Sequence, residues 1–120
     1  MKLDAFNIFC ASLPATTHVV QWGGSHVWKV GGKVFVIGHN HDGPLACSFR
    51  VTDLSFEVLK EAPGLRPAPY LASRGLKWIQ NFDAPGLSDA ELCDYIAMSH
   101  AIISRNLSRK RRRELGLPDV

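Results

Sequence analysis

Residues 22–38 have the sequence WGGSHVWKVGGKVFVIG, which predicts a β-hairpin. Two apolar runs, His26–Val30 and Lys33–Ile37, flank Gly31 and Gly32, which can take the positive φ angles of a two-residue hairpin turn. This turn predicts a register of four cross-strand pairs, which are Val30 with Lys33, Lys29 with Val34, Trp28 with Phe35, and Val27 with Val36.

The predicted register assigns one face of the hairpin to the protein core. Side chains alternate between the two faces of a strand, and the large apolar residues gather on one of them. The core face is therefore expected to carry Trp28, Val30, Phe35 and Ile37. The other face is expected to carry Val27, Lys29, Val34 and Val36, with Lys29 and Lys33 beside the tip.

Helical and strand patterns alternate along the rest of the chain. The spacing of apolar residues predicts helices over Asp4–Ser12 and Leu54–Ala62, and strands over His18–Trp22 and Ala46–Val51. A last helix is predicted to begin at the capping box Ser88–Glu91. Together these elements predict an α+β domain of residues 1–120, in which an antiparallel β-sheet of hairpins packs against N-terminal, middle and C-terminal helices.

A second hairpin is predicted over Leu65–Phe82. Pro67 and Pro69 cannot donate hydrogen bonds to a neighbouring strand, so the first arm of this hairpin is expected at an edge of the sheet. In the second arm, alternation assigns Trp78 and Phe82 to the core face, and it assigns the outward face to Lys77, Ile79 and Asn81.

The composition indicates a globular protein without a membrane segment. Of its 120 residues, 46% are hydrophobic and 21% are charged, and no apolar stretch approaches the length of a membrane span. Asp4 interrupts the apolar N-terminal run, so that run predicts an amphipathic helix and not a signal peptide. Cys10, Cys47 and Cys93 are odd in number and lack CxxC spacing, which favours reduced thiols in a cytoplasmic protein.

Basic residues concentrate near the end of the sequence. The net charge is +3, and residues 105–114 contribute six basic side chains and one acid. The other residues include eight basic and ten acidic side chains, which is a net charge of −2. The basic character is therefore expected at the end of the last helix, on Arg105, Arg109, Lys110, Arg111, Arg112 and Arg113.

These cations and those of the hairpins have two interpretations. The hairpin and strand cations can contact phosphate groups, or they can keep the edges of an antiparallel sheet soluble and unpaired. The cations of residues 105–113 can bind phosphate, anionic lipid or an acidic protein, or they can complement the dipole at a helix C-terminus. Six cations exceed what that dipole needs.

The sequence contains one candidate metal site and no catalytic motif. His39, His41 and Asp42 can bind a transition metal if their segment is extended. Since no further strong ligand can be assigned, a polar turn before Gly43 is favoured. The chain lacks a nucleophile elbow, a phosphate loop, an HExxH motif and a paired-carboxylate spacing. We therefore assign no catalytic residue, no metal and no cofactor.

One tryptophan is a candidate for stacking on nucleic-acid bases. Aromatic side chains on an open surface can stack on bases of any sequence. Trp28 and Trp78 are expected in the core, so the candidate is Trp22, next to Gly23 and Gly24.

The order and spacing of several motifs resemble the MmcQ/YjbR family. The resemblance extends from the first helix to about Leu107, and its most specific parts are Trp22-Gly23, the tip Lys29–Lys33, Pro69-Tyr70, Lys77-Trp78 and Ser99-His100. It implies an α+β fold that is similar to frataxin-like proteins and is usually described as a DNA-binding double wing. The two hairpin tips would be the wings of that fold.

The resemblance and the charge pattern lead to one main hypothesis, a non-enzymatic domain that binds DNA weakly and electrostatically. The residues assigned to nucleic-acid binding are Lys29, Lys33, Arg50, Arg74, Lys77, Arg105, Arg109, Lys110, Arg111, Arg112 and Arg113. The alternative is a protein-interaction or adaptor module in which the same curved sheet binds a partner peptide. Iron handling follows only from fold similarity, and the predicted first helix offers Asp4 as its one acid. We expect no membrane partner, and a monomer or weak dimer.

Overall fold

The described residues form six short strands and four helices. This computed structural model describes residues 1–39, 44–69, 71 and 75–118. The strands are β1 (Thr16–Gln21), β2 (Ser25–Val30), β3 (Lys33–His39), β4 (Ala46–Arg50), β5 (Leu65–Pro67) and β6 (Trp78–Asn81). The helices are α1 (Leu3–Ser12), α2 (Asp53–Leu59), α3 (Asp89–Arg105) and α4 (Arg109–Glu114). The strands form one antiparallel sheet in the order β1-β2-β3-β4-β6-β5, which confirms the predicted α+β class and the edge position of β5.

The helices α1, α2 and α3 pack against one face of this sheet. They contribute Phe6, Leu59 and Ile96 to a core that they share with residues of the strands. Gly38 of β3 leaves room for α1, because a methyl group at Gly38 would lie 2.5 Å from the ring of Phe6. In the described part of the chain, none of the helices has both the length and the apolar character needed to cross a membrane.

Capping side chains begin α2 and α3, and the cap of α3 is the predicted one. At the start of α3, Glu91 N donates to Ser88 Oγ at 3.2 Å and Ser88 N donates to Glu91 Oε1 at 3.0 Å, which is the predicted capping box. The bonds with Ser88 hold the pKa of the Glu91 carboxyl below its usual value. At the start of α2, Thr52 Oγ1 accepts a hydrogen bond from Ser55 N at 3.1 Å.

The turn between β2 and β3 has the predicted geometry. The φ angle is 59° at Gly31 and 83° at Gly32, in the region that glycine reaches without strain. The two predicted cross-strand pairs beside the turn are confirmed, which are Val30 with Lys33 and Lys29 with Val34.

A β-bulge changes the register farther along this hairpin. Trp28 pairs with Val36 and not with Phe35, and Val27 pairs with Ile37, so two of the four predicted pairs are wrong. Phe35 and Val36 are both fully buried and both belong to the core on the helix side. A bulge places two consecutive residues opposite one residue of the partner strand, which allows both side chains to enter the same core.

The bulge also reverses the predicted position of Ile37. Ile37 lies on the face away from the helices, where it pairs with Val27 and lines a groove, whereas the prediction placed it in the core. Residues 34–37 are uniformly apolar, so their pattern contains no information on where the alternation is interrupted.

The predicted faces of β6 are wrong for a similar reason. Ile79 is fully buried in the helix-side core, and it pairs with Phe49 of β4. Trp78 therefore lies on the opposite face, although it is also buried. Phe82 is 39% exposed, and the guanidinium of Arg66 lies 4.2 Å above its ring centroid. Trp78 and Ile79 are both large and apolar, so the sequence does not show which of them faces the helices. Pairing with β4 determines that Ile79 does.

The bulge predicts unequal effects for two valines of the same strand. Replacing Val36 by alanine should lower the free energy of unfolding by about 2 kcal/mol, because the change removes two methyl groups from a filled core. Val34→Ala should cost less than about 1 kcal/mol, since Val34 is only half-buried. Urea denaturation of both variants measures the difference, and equal losses would contradict the bulge, because a regular hairpin places both residues on one face.

Candidate nucleic-acid interface

One end of the sheet brings together the segments that carry the predicted binding residues. β3 leads away from the β2–β3 turn, β4 returns towards it, and β6 begins beside the end of β4, where Arg50 pairs with Trp78. Lys33 Nζ donates to the backbone oxygen of Asn106 at 3.4 Å, so the C-terminal end of α3 lies at this end too. We call it the basic end, and it carries Lys29, Lys33, Arg50, Lys77, Arg105 and the basic residues of α4.

The β2–β3 turn packs directly on the residues that flank α4. A methyl group at Gly31 would lie 2.7 Å from Leu107 Cδ1 and 3.2 Å from Leu115 Cδ1. Leu107 and Leu117 are buried in the core, and Leu115 packs against it. Apolar contacts therefore hold the basic segment against the hairpin tip.

The prediction that residues 105–114 form the end of the last helix is wrong. α3 ends at Arg105 with Asn106 as its C-cap, and Ser108 starts the separate helix α4 by accepting a hydrogen bond from Arg111 N at 3.1 Å. A serine side chain competes for backbone donors and favours the start of a helix over its interior, so the chain begins a new helix at this position.

Arg112 connects α3 and α4 instead of facing solvent. Its Nη1 donates to the backbone oxygen of Arg105 at 2.9 Å and to that of Leu107 at 3.0 Å. Carbonyl groups at a helix C-terminus lack partners within the helix, and the guanidinium supplies them here. Arg112 is half-buried, and its structural role is one that a count of charges does not reveal.

The other cations of the predicted set differ in exposure. The exposed ones are Lys33, Arg105, Arg109, Lys110, Arg111 and Arg113. Arg111 Nη1 lies 3.4 Å from Glu114 Oε2, and the half-buried Lys77 places its Nζ 4.8 Å from the ring centroid of Phe56. Arg74 lies outside the described residues. The half-buried cations on strand positions are Lys29 and Arg50.

Acidic side chains collect at the opposite end of the sheet. Asp4 and Asp89 lie in the first turns of α1 and α3, and the amino group of Met1 lies 2.9 Å from Asp89 Oδ1, so both helices begin at that end. Asp83 follows the far end of β6. Acids also lie at the basic end, since Asp53 begins α2 just after β4 and Glu114 ends α4, so the charges of the two ends are partly separated.

The sheet face away from the helices forms a groove of about 510 Å³, which we call the open-face groove. Its apolar lining includes Trp22, Val34, Ile37, Pro69, Leu71 and Trp78. The predicted stacking residue Trp22 is 63% exposed, and its φ angle of 53° is unusual for a residue other than glycine. Trp22 is thus held by the turn before β2 with most of its indole in solvent.

Polar side chains within the open-face groove are buried. Ser48 and Gln80 form a cross-strand pair, and Gln80 Oε1 accepts a hydrogen bond from Arg66 Nε at 2.8 Å. Ser25 Oγ lies 2.8 Å from His39 Nδ1. Apolar walls with a few fixed polar groups are typical of ligand-binding surfaces.

Side chains suited to metal binding do not cluster in the described part of the chain. His39 belongs to β3, whereas its predicted companions His41 and Asp42 lie outside the described residues. Residues 1–39, 44–69, 71 and 75–118 contain no group of three His, Cys, Asp or Glu side chains that could hold a metal ion. Burial raises the pKa of the Cys10 thiol to about 12 and raises that of Cys47 well above its usual value, which is opposite to the shift that a reactive thiolate needs.

The chain is similar to one sequence family and to a solved structure. Its sequence matches the family described as YjbR over residues 11–102, which are 92 of its 120 residues. No curated protein matches it. Its fold is similar to the crystal structure of Deinococcus radiodurans protein DR2400, which has a DUF419 domain, with a TM-score of 0.84 and 22% identity. That similarity covers 98% of this chain and 90% of the other, and it shows the fold.

Substitutions in the β2–β3 turn test whether the tip and the basic segment are in contact. Gly31→Ala and Gly32→Ala both force alanine into a positive φ angle, but only the methyl group at Gly31 would meet Leu107 and Leu115. Gly31→Ala should therefore destabilise the fold by about 1 kcal/mol more than Gly32→Ala, as overpacking does. Denaturant titrations measure both values. Equal destabilisation would mean that the tip does not pack on this segment.

Proposed function

Because the chain belongs to the YjbR family and its basic residues gather at one end of the fold, we propose that it is a non-enzymatic protein that binds nucleic acid through the basic end. The observation that supports this proposal is the packing of the β2–β3 turn against the junction of α3 and α4. That contact places Lys33 beside cations that follow it by more than 70 residues in the sequence.

A surface of this kind suits the nucleic-acid backbone. A duplex carries one negative charge for about every 1.7 Å of its axis, and each phosphate neutralised by Lys or Arg releases a bound counterion. Phosphate contacts position a protein without reading sequence. We therefore expect non-specific binding, with a Kd of about 10⁻⁴–10⁻⁶ M at physiological salt that weakens steeply as salt rises.

The acidic residues Asp4, Asp83 and Asp89 lie at the other end of the sheet, which we call the acidic end, and they support the same mode of binding. A separated charge distribution orients a protein in the field of a polyanion, because the acidic end is repelled while the basic end is attracted. The β2–β3 turn and α4 then approach the backbone as one surface, since apolar contacts hold them together. Lys29 and Arg50 extend this surface onto the face away from the helices.

Two variants of equal charge test the role of the basic end. Lys33→Gln combined with Lys110→Gln removes two exposed cations, one from the hairpin and one from α4. We expect weaker binding of a labelled duplex and a salt slope that is shallower by about 2, because each lost phosphate contact contributes about 0.9 to the slope. Fluorescence anisotropy at several salt concentrations measures both effects.

The matched control is Lys2→Gln combined with Lys60→Gln, which changes the net charge equally but away from the basic end. Lys60 pairs with Glu57 at 2.6 Å on the surface, and loss of such a pair changes stability little. The control should retain the affinity and the salt slope of the parent protein. An equal loss in both variants would show binding by net charge alone, and no duplex binding at low salt would refute the proposal.

The alternative function is a protein-interaction or adaptor module, and the open-face groove is the observation that favours it. Its apolar walls, its buried polar groups and the exposed Trp22 offer a surface for a partner peptide. This function uses the face away from the helices, whereas nucleic-acid binding uses the basic end. The two candidates therefore depend on different residues.

Capture from native lysate, with and without nuclease, separates the two functions. If the protein binds nucleic acid through the basic end, nuclease should release what is captured. Trp22→Ala should then capture as much as the parent protein, because Trp22 lies in the turn between β1 and β2, at the other end of β2, and base stacking on Trp22 would instead lower the capture. If it is an adaptor, one partner protein should be retained after nuclease and should be lost with Trp22→Ala. The Lys33→Gln/Lys110→Gln variant should capture less than the parent protein if the protein binds nucleic acid. It should retain the partner protein if the protein is an adaptor.

A further inference from the structure

A small pocket lies between the end of α1, the C-terminal half of α3 and the residues that follow α4. Its volume is about 220 Å³, and its polar lining consists of His100, Ser104, Arg105 and Arg112. The described lining contains two arginines and no carboxylate, and its other members are apolar. We call it the arginine pocket. Its charge favours an anion, and its volume is below the ~300–1,000 Å³ of pockets for drug-sized ligands.

Two buried polar atoms of this pocket have no hydrogen-bond partner. They are Ser104 Oγ and Arg112 Nε, the two atoms of this kind in the described residues. Ser104 is only 8% exposed. Buried polar groups of folded proteins nearly always have partners, because an unpaired group loses its bonds to water without replacement. Solvent does not reach either atom in this structure, so a ligand in the pocket would contact them after small rotations of the two side chains, and it would then supply the partners that they lack.

The orientation of Arg112 specifies the chemistry of that ligand. Nη1 is occupied by the backbone oxygens of Arg105 and Leu107, which fix the plane of the guanidinium. The edge formed by Nε and Nη2 makes no hydrogen bond within the described chain, and this edge is one that binds two oxygens of an oxyanion side by side. The hydroxyl of Ser104 supplies a further donor.

His100 belongs to the frame of the pocket. Its Nε2 donates to the backbone oxygen of Pro14 at 2.7 Å, and its ring meets the ring of Phe35 edge to face, with centroids 5.2 Å apart. These contacts join α3 to the end of α1 and hold the pocket wall in place. The partner of His100, Pro14, lies 86 residues away along the chain, so no local pattern indicates this contact.

We propose that the arginine pocket binds a phosphate group. A phosphate carries up to two negative charges and several acceptor oxygens, which match two arginines, a guanidinium edge and a hydroxyl donor. The group can come from inorganic phosphate or from the end of a nucleic-acid strand, and the second source rests on the function proposed above. Neither source requires Lys33 or Lys110, so the two proposals fail independently.

Titration of the full chain with inorganic phosphate tests the pocket. Phosphate should raise the Tm more than chloride does at equal ionic strength, because a ligand that binds only the folded state stabilises it. Ser104→Ala should weaken phosphate binding about tenfold, which corresponds to about 1.4 kcal/mol in calorimetry. Without phosphate, the same variant should be at least as stable as the parent protein, because the removed hydroxyl has no partner to lose.

Ser99→Ala is the matched control on the same helix. Like Ser104, Ser99 is buried, but its Oγ donates to backbone oxygens of Arg50 and Tyr95, and it does not line the pocket. This variant should unfold at a lower temperature and keep the phosphate Kd of the parent protein. Arg112→Lys keeps the charge but lacks the Nε edge, and it should bind phosphate more weakly than the parent protein.

Three results would overturn the proposal: no stabilisation by phosphate beyond that by chloride, equal phosphate Kd in Ser104→Ala and the parent protein, or weakened phosphate binding in Ser99→Ala. Short single strands with a 5′-phosphate or a 5′-hydroxyl then identify the source. Tighter binding of the phosphorylated strand, lost in Ser104→Ala, would support a strand end. Equal binding of both strands, together with a phosphate response, would support free phosphate.

Discussion

Two consecutive residues of β3, Phe35 and Val36, both pack into the core on the helix side, and a β-bulge in the central hairpin accommodates them. The bulge gives the core two large side chains at the centre of the sheet. It also turns Ile37 to the opposite face, where it lines the open-face groove with Trp78. The same local irregularity therefore determines the filling of the core and the apolar character of the face that the helices leave uncovered.

The second constraint is the close packing of Gly31 on Leu107 and Leu115. It joins the central hairpin to a segment more than 70 residues away, and it converts two separate groups of cations into one surface. Without that apolar contact, the hairpin tip would be a separate projection. With it, the tip and α4 form one basic end, and the arginine pocket lies beside α4.

Counting charges overestimates the number of residues available for binding. Arg112 uses its guanidinium to satisfy carbonyl groups at the end of α3, and Arg111 pairs with Glu114. A helix that is followed at once by another helix exposes backbone acceptors, and a nearby arginine is a suitable donor for them. Part of the basic run is thus required by the fold, and the proposed function relies on exposed cations such as Lys33 and Lys110.

The sequence by itself determined the elements with strong local signals: the Gly31-Gly32 turn, the capping box of Ser88 and Glu91, and the edge strand at Pro67. Each depends on the conformation or hydrogen bonds of a few neighbouring residues. Tertiary structure alone decided the faces of Ile37 and Trp78 and the arginine pocket. Uniformly apolar runs do not show which residues of a strand face the core. The pocket forms where α1, α3 and the residues after α4 meet, and contacts between such distant segments are absent from any local sequence pattern.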